Sequence, residues 1–414
     1  MRRFFWMLTS AACLTAPAYS QSALNWQQVQ ARFQAANPAL LAGRIGIDES
    51  RAAEITAYLR PNPNLTTGLD QLTPFTSNPY RPLTGAFPYI IVNYLHERDH
   101  KRELRLDSAR QATAIVVSQQ EDLVRNLMFG LRSAFVQTLE SKAVLALARD
   151  NLAYFDRELA ISRDRLTAGD IAAIDLKRIN LQRVQYESDL QTALVNLRTA
   201  KIQLLQLLND RTPVDQFDVA GPFEFYERIL PLEQVRTQAA DARPDLRAAL
   251  QAIEKAKTDH RLAMANGSTD PTFAVDSARN PPYSAYIGFS MSIPLRIFDR
   301  NQGEKARTQL DIGHAERAHD LAFAQVYGDV DSAYVTLASS IELLKPYRDT
   351  YLKMAAEVRD TMEFSYQRGQ AALVDYLDAQ RDYRATYVAY LNLVGDYLMA
   401  AGQLNLAVGR EVIQ

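Results

Sequence analysis

Asp375 and Asp378, in the stretch VDYLD at 374–378, are the polar residues whose spacing most suggests chemistry. Three apart on a helix, two carboxylates share one face, where they can attract cations or trade a proton. An isolated pair of this kind is ordinarily a solvated helix face. This pair has a counterpart, however. Residues 166–183 read LTAGDIAAIDLKRINLQR and residues 366–383 read YQRGQAALVDYLDAQRDY. Laid over each other, Gly169 falls on Gly369, Ala172 on Ala372 and Asp175 on Asp375, while Arg178 replaces the second aspartate. Among the histidines, His96 and His100 have the i, i+4 spacing that binds zinc on a helix. They fall at a strand-to-helix junction, and no third ligand is evident. His314 and His319 do not share a helical face and read as solvated. There is no GxSxG, no phosphate-binding glycine loop and no cysteine nucleophile. No enzyme and no cofactor is indicated.

The elements that position the aspartates come in two copies. Segment 24–40, LNWQQVQARFQAANPAL, matches 230–246, LPLEQVRTQAADARPDL, at Gln28/Gln234, Val29/Val235, Pro38/Pro244 and Leu40/Leu246. A duplication of this length points to two structural repeats. Each begins with a helix broken before a proline, which fits the first turn of a restarted helix. Breaks rich in Pro, Asn and Gly follow at 60–65 and 266–271, then two short strands and a long helical hairpin. The first repeat, 21–229, holds strands within about 63–95 and a hairpin over about 98–208, with its tip at 166–172. The second, 230–414, holds strands within about 271–295 and a hairpin over about 299–408, with its tip at 366–372.

The clearest strand is YSAYIGFSMSIPL, 283–295. Tyr283, Ala285, Ile287, Phe289, Met291, Ile293 and Leu295 alternate with smaller or polar residues, over a length that crosses a bilayer when tilted. Its partner is PTFAVDSAR, 271–279, through a turn at 280–282. In the first half FPYIIVNYL, 87–95, pairs with 63–72, and Asn93 breaks its alternation. Four strands alone cannot close a barrel. The helices show coiled-coil spacing at Val330, Ala333, Leu337, Ile341 and Leu344, continuing through Tyr347, Tyr351, Met354 and Val358. The other half shows it at Ala148, Leu152, Phe155, Leu159, Ser162 and Leu166. Such helices run roughly 100 Å at 1.5 Å per residue, so each must fold back as a hairpin. Pro346 is expected to kink its helix. Gly169 and Gly369 end the outward helices, where a left-handed residue is favoured.

Charge is nearly balanced, with 46 basic and 48 acidic residues, which excludes a nucleic-acid binder with a concentrated basic face. The N-terminus has Arg2 and Arg3, an apolar run from Phe4 to Leu14 and the small-x-small site Ala18-Tyr19-Ser20. It reads as a secretory signal peptide over 1–20. The single cysteine, Cys13, lies inside the apolar run and does not read as a lipidation site. Beyond it no apolar run is long enough for a membrane helix, so the exported chain either stays in the periplasm or crosses a membrane as strands.

Together with this two-copy plan, RPDL at 243–246, FSMSIPLRIFDRNQGEKAR at 289–307, RLTAGD at 165–170 and YQRGQAALVDYLDAQ at 366–380 resemble the TolC family of outer-membrane efflux proteins. The resemblance covers essentially the whole mature chain and is nearest the branch serving heavy-metal and related resistance-nodulation-division pumps. It implies a mainly α protein with a β-barrel part: a homotrimer whose chains each give four strands to a twelve-stranded outer-membrane barrel, continued by a periplasmic α-helical barrel. The function implied is a passive exit duct, linked through a periplasmic adaptor to an inner-membrane pump. By position, the adaptor-docking tips are Leu166, Thr167, Gly169 and Asp170, with Tyr366, Arg368, Gly369 and Gln370. Asp375 and Asp378, with Asp175, match the periplasmic gate. Some relatives carry an arginine four residues before the first gate aspartate; here Ala371 stands there, leaving Arg368 or Arg178 as substitutes. The competing reading is a periplasmic coiled-coil scaffold without a pore. The strand at 283–295 separates the two, since a soluble protein has little use for a long strand with one wholly apolar face.

Overall fold

The computed structural model of the protein describes residues 23–75, 79, 81–83, 85–279 and 283–413. The signal peptide with Cys13 and the turn at 280–282 lie outside the described residues. Among the described residues, nine α-helices and four strands follow in the order α1(Trp26–Ala36), α2(Pro38–Tyr58), β1(Asn64–Asp70), β2(Phe87–Leu95), α3(Lys101–Ala168), α4(Ala173–Leu207), α5(Leu232–Ala242), α6(Pro244–Asn266), β3(Thr272–Arg279), β4(Ala285–Ser292), α7(Gln302–Pro346), α8(Leu352–Gln367) and α9(Leu373–Val408). No described helix is long and apolar enough to cross a membrane. The chain forms two compact units. One comprises residues up to Asn37 with Leu131–Phe225 and Leu344–Asp396; the other comprises Pro38–Gly130, Tyr226–Leu343 and the chain from Tyr397 onward.

The second unit carries the sheet, strictly antiparallel in the order β1-β2-β3-β4, with β1 and β4 as its edges. Directly paired residues share a face. The row Leu65–Val92–Val275–Phe289 crosses all four strands, and its members are 43–81% exposed. Ile90, Phe273, Ile287 and Met291 extend this apolar, uncovered face. The opposite face carries the row Asn64–Asn93–Ala274–Ser290 and the row Thr66–Ile91–Asp276–Gly288. Asn93 therefore does not interrupt the pattern: it joins the polar face of its neighbours. β4 stops at Ser292, short of the alternation that runs on to Leu295 in the sequence.

Both prolines restart helices as expected. α1 ends at Ala36 and α2 begins at Pro38; α5 ends at Ala242 and α6 begins at Pro244. At the second break the chain buries an arginine. Arg243 is 5% exposed, and its guanidinium donates to Asp245 (2.9 Å), Asp329 (2.8 Å) and the carbonyl of Ala407 (3.2 Å). Arg125 donates to the neighbouring carbonyl of Leu406 and to Asp122, and stands 3.9 Å from Asp245. The RPDL segment is thus the hub that ties α6, α7 and the end of α9 together.

In the first unit the long helices turn back on themselves. α3 spans 68 residues, roughly 100 Å at 1.5 Å per residue. It ends at Gly169 (φ 85°), and α8 ends before Gly369 (φ 72°). The two tips carry the same pair of hydrogen bonds: Gly169 N to Leu166 O (3.1 Å) with Asp170 N to Arg165 O (2.9 Å), and Gly369 N to Tyr366 O (3.0 Å) with Gln370 N to Ser365 O (2.8 Å). The outer bond of each pair is the six-residue closure of a Schellman turn, which needs a left-handed residue. A Cβ would meet no neighbour at either glycine. Gly169→Ala and Gly369→Ala are therefore each expected to cost about 1 kcal/mol from backbone strain alone. Denaturant midpoints should show asparagine better tolerated than alanine at both sites.

The coiled-coil seam at Val330, Ala333, Leu337, Ile341 and Leu344 is buried throughout. Its expected continuation is not: Tyr351, Met354 and Val358 are exposed. Pro346 is the reason. It is followed by a π-helical turn, Tyr347–Tyr351, in which Leu352 N–H reaches back to Tyr347 O. Proline removes a helical hydrogen bond, and a π turn absorbs the defect by inserting one residue. The inward face then moves on by one position, to Leu352, Ala355, Arg359, Met362 and Tyr366.

Candidate functional site

The ends of both hairpins share one core. Phe155 and Leu159 of α3, Ile179 and Tyr186 of α4, Tyr366 of α8, and Leu373 and Tyr376 of α9 pack together, with Leu176 and Ala371 against them. Tyr366 stacks on Tyr376 at 5.1 Å with rings 8° from parallel, and Phe155 stacks on Tyr186 at 4.6 Å. Arg165 lies over the Tyr366 ring at 5.1 Å. Among the tip residues, Thr167, Gly169, Asp170, Arg368, Gly369 and Gln370 are exposed and Leu166 is half-buried. Tyr366 differs: at 8% exposure it belongs to the core under the tip rather than to its surface.

This core orients the start of α9. Tyr376 is buried, so Asp375 and Asp378 on either side of it are turned outward: Asp375 is exposed and the Asp378 side chain is 51% exposed. Asp375 lies in the first turn of α9 and Asp175 in the first turn of α4, where the helix dipole favours negative charge. Neither arginine considered as a lock reaches the aspartates. Arg368 lies over the ring of Phe364 at 4.2 Å, and Arg178 is exposed with no ion-pair partner among the described residues. The cation beside Asp378 is Arg381, at 3.1 Å on the next turn. That i, i+3 spacing is plain in the sequence once the helix phase is known.

Three polar groups in this core, partly or wholly buried, had no sequence signal. Tyr154 of α3 donates to Glu363 of α8 and accepts from Gln380 of α9 (3.2 Å), bridging three helices. Glu158, 8% exposed, lies one turn along; burial, then the charge of Glu363, pushes its carboxyl above the usual range. The Tyr376 hydroxyl beneath them is buried without a hydrogen-bond partner among the described residues.

Further along, α3 and α9 approach so closely that a Cβ at Gly395 would collide with the Glu140 carboxylate. Burial, then the charge of Asp396, pushes Glu140 up to about 7. A carboxyl raised in the folded state is neutral there while its unfolded counterpart ionises near 4.5. The site is thus without penalty below that value and becomes increasingly destabilising as pH rises to about 7. Glu140→Gln is expected to raise the unfolding temperature at about pH 8 and to leave it unchanged at about pH 4, a contrast that thermal melts at the two pH values check.

His96 and His100 sit in the loop between β2 and α3, with φ 57° at His100, and so do not share a helix. No group of three metal-ligating side chains is found among the described residues.

The chain thus combines a four-stranded sheet with one bare apolar face and two long helical hairpins. Residues 235–410 match the model of the family described as outer membrane efflux protein. The chain is 23% identical over 375 residues to the cobalt-zinc-cadmium resistance protein CzcC of Cupriavidus metallidurans, covering 88% of this chain and 85% of that protein. It is 23% identical over 427 residues to the outer membrane efflux protein BepC of Brucella suis biovar 1, covering 98% and 89%. Its fold matches solved structures of CusC (TM-score 0.79, 18% identity, 93% and 92% covered) and of the open MtrE outer membrane channel of Neisseria gonorrhoeae (TM-score 0.77, 16% identity, 93% and 89% covered). The chain is similar to the TolC family in sequence and in fold, as its motifs implied.

Proposed function

We propose that this protein is the outer-membrane exit duct of a tripartite efflux system, conducting its cargo passively and without a catalytic step. The observation that carries this reading is the sheet. Its apolar row is exposed from edge to edge, its other face is largely polar, and the outer edges of β1 and β4 meet no further strand among the described residues. Open edges on an apolar sheet are an aggregation hazard in water and a requirement for barrel closure in lipid. Three copies, each giving four strands, would close a twelve-stranded barrel with its apolar face to lipid and its polar face to an aqueous lumen. The element order recurs in the two halves, which supports a duplication dividing near residue 230.

In this reading the exposed tip residues Thr167, Gly169, Asp170, Arg368, Gly369 and Gln370 meet the periplasmic adaptor, with Leu166 beside them and Tyr366 shaping the tip from beneath. Asp375 and Asp378, with Asp175, line the periplasmic entrance. Similarity to a cobalt-zinc-cadmium resistance protein supports the heavy-metal branch. The test is fractionation followed by planar-bilayer recording of the purified mature chain. Heat-resistant trimers from outer membranes that give discrete conductance steps are expected. A soluble monomer that never inserts would instead establish a periplasmic scaffold.

A further inference from the structure

This inference rests on the outer-membrane placement of the sheet proposed above. Where β2 ends at Leu95, its apolar face continues through Tyr94 to His96, whose ring meets that of Phe273 edge-on at 6.4 Å. Phe273 is itself exposed on the apolar face. The lipid-facing surface therefore runs directly into a pocket of about 410 Å³ at the junction with α3. Tyrosine at such a level is the amphipathic anchor of a membrane interface.

The charges in and around this pocket divide into spent and free. Glu97 is taken by Arg105, and Glu103 by Arg102, which also lies over the Tyr58 ring at 4.3 Å. Lys101 is buried against Asp270 at 2.6 Å, and Asp270 also accepts the backbone N–H of Arg98. That leaves Arg60, Arg98 and Asp99 lining the pocket, all exposed and with no ion-pair partner among the described residues. Asp99 and His100 take the left-handed conformation, φ 55° and 57°, so the loop holds its shape against a backbone cost.

We propose that this pocket binds the headgroup of a zwitterionic glycerophospholipid bearing a primary amine, in the periplasmic leaflet. The two guanidiniums take the phosphodiester, which matches their fork of donors. The free carboxylate of Asp99 takes the ammonium. The mixture of free charges makes the choice: an anionic headgroup without an amine leaves Asp99 unpaired beside a phosphate. A quaternary ammonium offers Asp99 no N–H donor. Basic pockets between membrane helices bind anionic lipid headgroups, and the aspartate here would shift that choice toward a headgroup that also carries an amine.

Native mass spectrometry of the full protein released from detergent tests this, with phosphatidylethanolamine, phosphatidylglycerol and phosphatidylcholine of matched acyl chains and with inorganic phosphate as competitor. The expected result is one phosphatidylethanolamine retained per chain, at about tenfold lower lipid concentration than either other lipid. Arg60→Gln with Arg98→Gln should abolish that retention, and Asp99→Asn should erase the preference over phosphatidylglycerol. Equal retention of the three lipids, wild-type behaviour of the variants, or displacement by inorganic phosphate would each overturn the inference while the channel reading stands. A chain that is soluble and fails to insert into bilayers would bring down the channel reading itself.

Discussion

Replacing Asp375 and Asp378 together by asparagine is expected to abolish cation preference at the channel entrance and to weaken block by multivalent cations at least about tenfold. The physical reason is the number of carboxylates brought together. In the proposed trimer, two outward-facing aspartates per chain place six negative charges around one aqueous opening. A single charge pair at 4 Å interacts by about 1 kcal/mol in water and about 4 kcal/mol near a protein surface. A divalent ion facing several carboxylates therefore loses more than the roughly 1.4 kcal/mol that separates a factor of ten. Stability should hardly change. Asp375 is exposed, and Asp378 has only the half-exposed contact with Arg381, a kind of pair worth about 0–1 kcal/mol. Single-channel reversal potentials under a salt gradient, with a titration of a divalent or trivalent blocker, give the answer. Unchanged selectivity and block in a folded, conducting double variant would move the gate elsewhere on the tips.

Arg243→Ala should produce the largest loss of stability of any single substitution considered, about 3 kcal/mol, because it leaves the half-buried carboxylates of Asp245 and Asp329 without their buried cation. Burial alone would raise the Asp245 carboxyl. The Arg243 guanidinium, aided by Arg125, more than offsets this and holds Asp245 below its usual range. A depressed carboxylate contributes stability above its unfolded value, and that contribution fades as pH falls through the folded value. The variant should therefore lose most at neutral pH and least in acid. The carbonyl of Ala407 loses a donor as well, and Gly409 (φ 85°) packs against the backbone of Ala242 and Arg243. Hydrogen exchange should accordingly rise first at the end of α9. Lysine at 243 should rescue little, since it cannot serve Asp245, Asp329 and a carbonyl from one planar fork. Wild-type melting of Arg243→Ala would show that the hub contributes no more than a surface pair.

RPDL was legible as a motif but not as a hub. Its partners Asp329 and Ala407 lie 86 and 164 residues along the chain, and nothing local announces them. The same holds for the bond between Tyr154 and Glu363, 209 residues apart, and for Glu140, whose raised carboxyl depends on how closely α9 passes at Gly395. Tyr366 was named among the adaptor-docking tip residues from its place beside the tip glycine. Its burial follows from the ring of Tyr376 beneath it, a contact between α8 and α9.

What the amino-acid order determined by itself is whatever obeys a local steric rule. Prolines at 38 and 244 restart helices because their missing N–H costs nothing in a first turn. Glycines at 169 and 369 end helices because a left-handed residue without a Cβ is unstrained. Period-two alternation set the two faces of the sheet, including the strand in which Asn93 looked out of place. What only the tertiary structure decided is phase and partnership. One residue inserted after Pro346 rotated the inward face of α8, and packing across the hairpins chose which polar groups are buried together. Local sterics act within one turn of chain, whereas burial and charge pairing are properties of surfaces that meet only after folding.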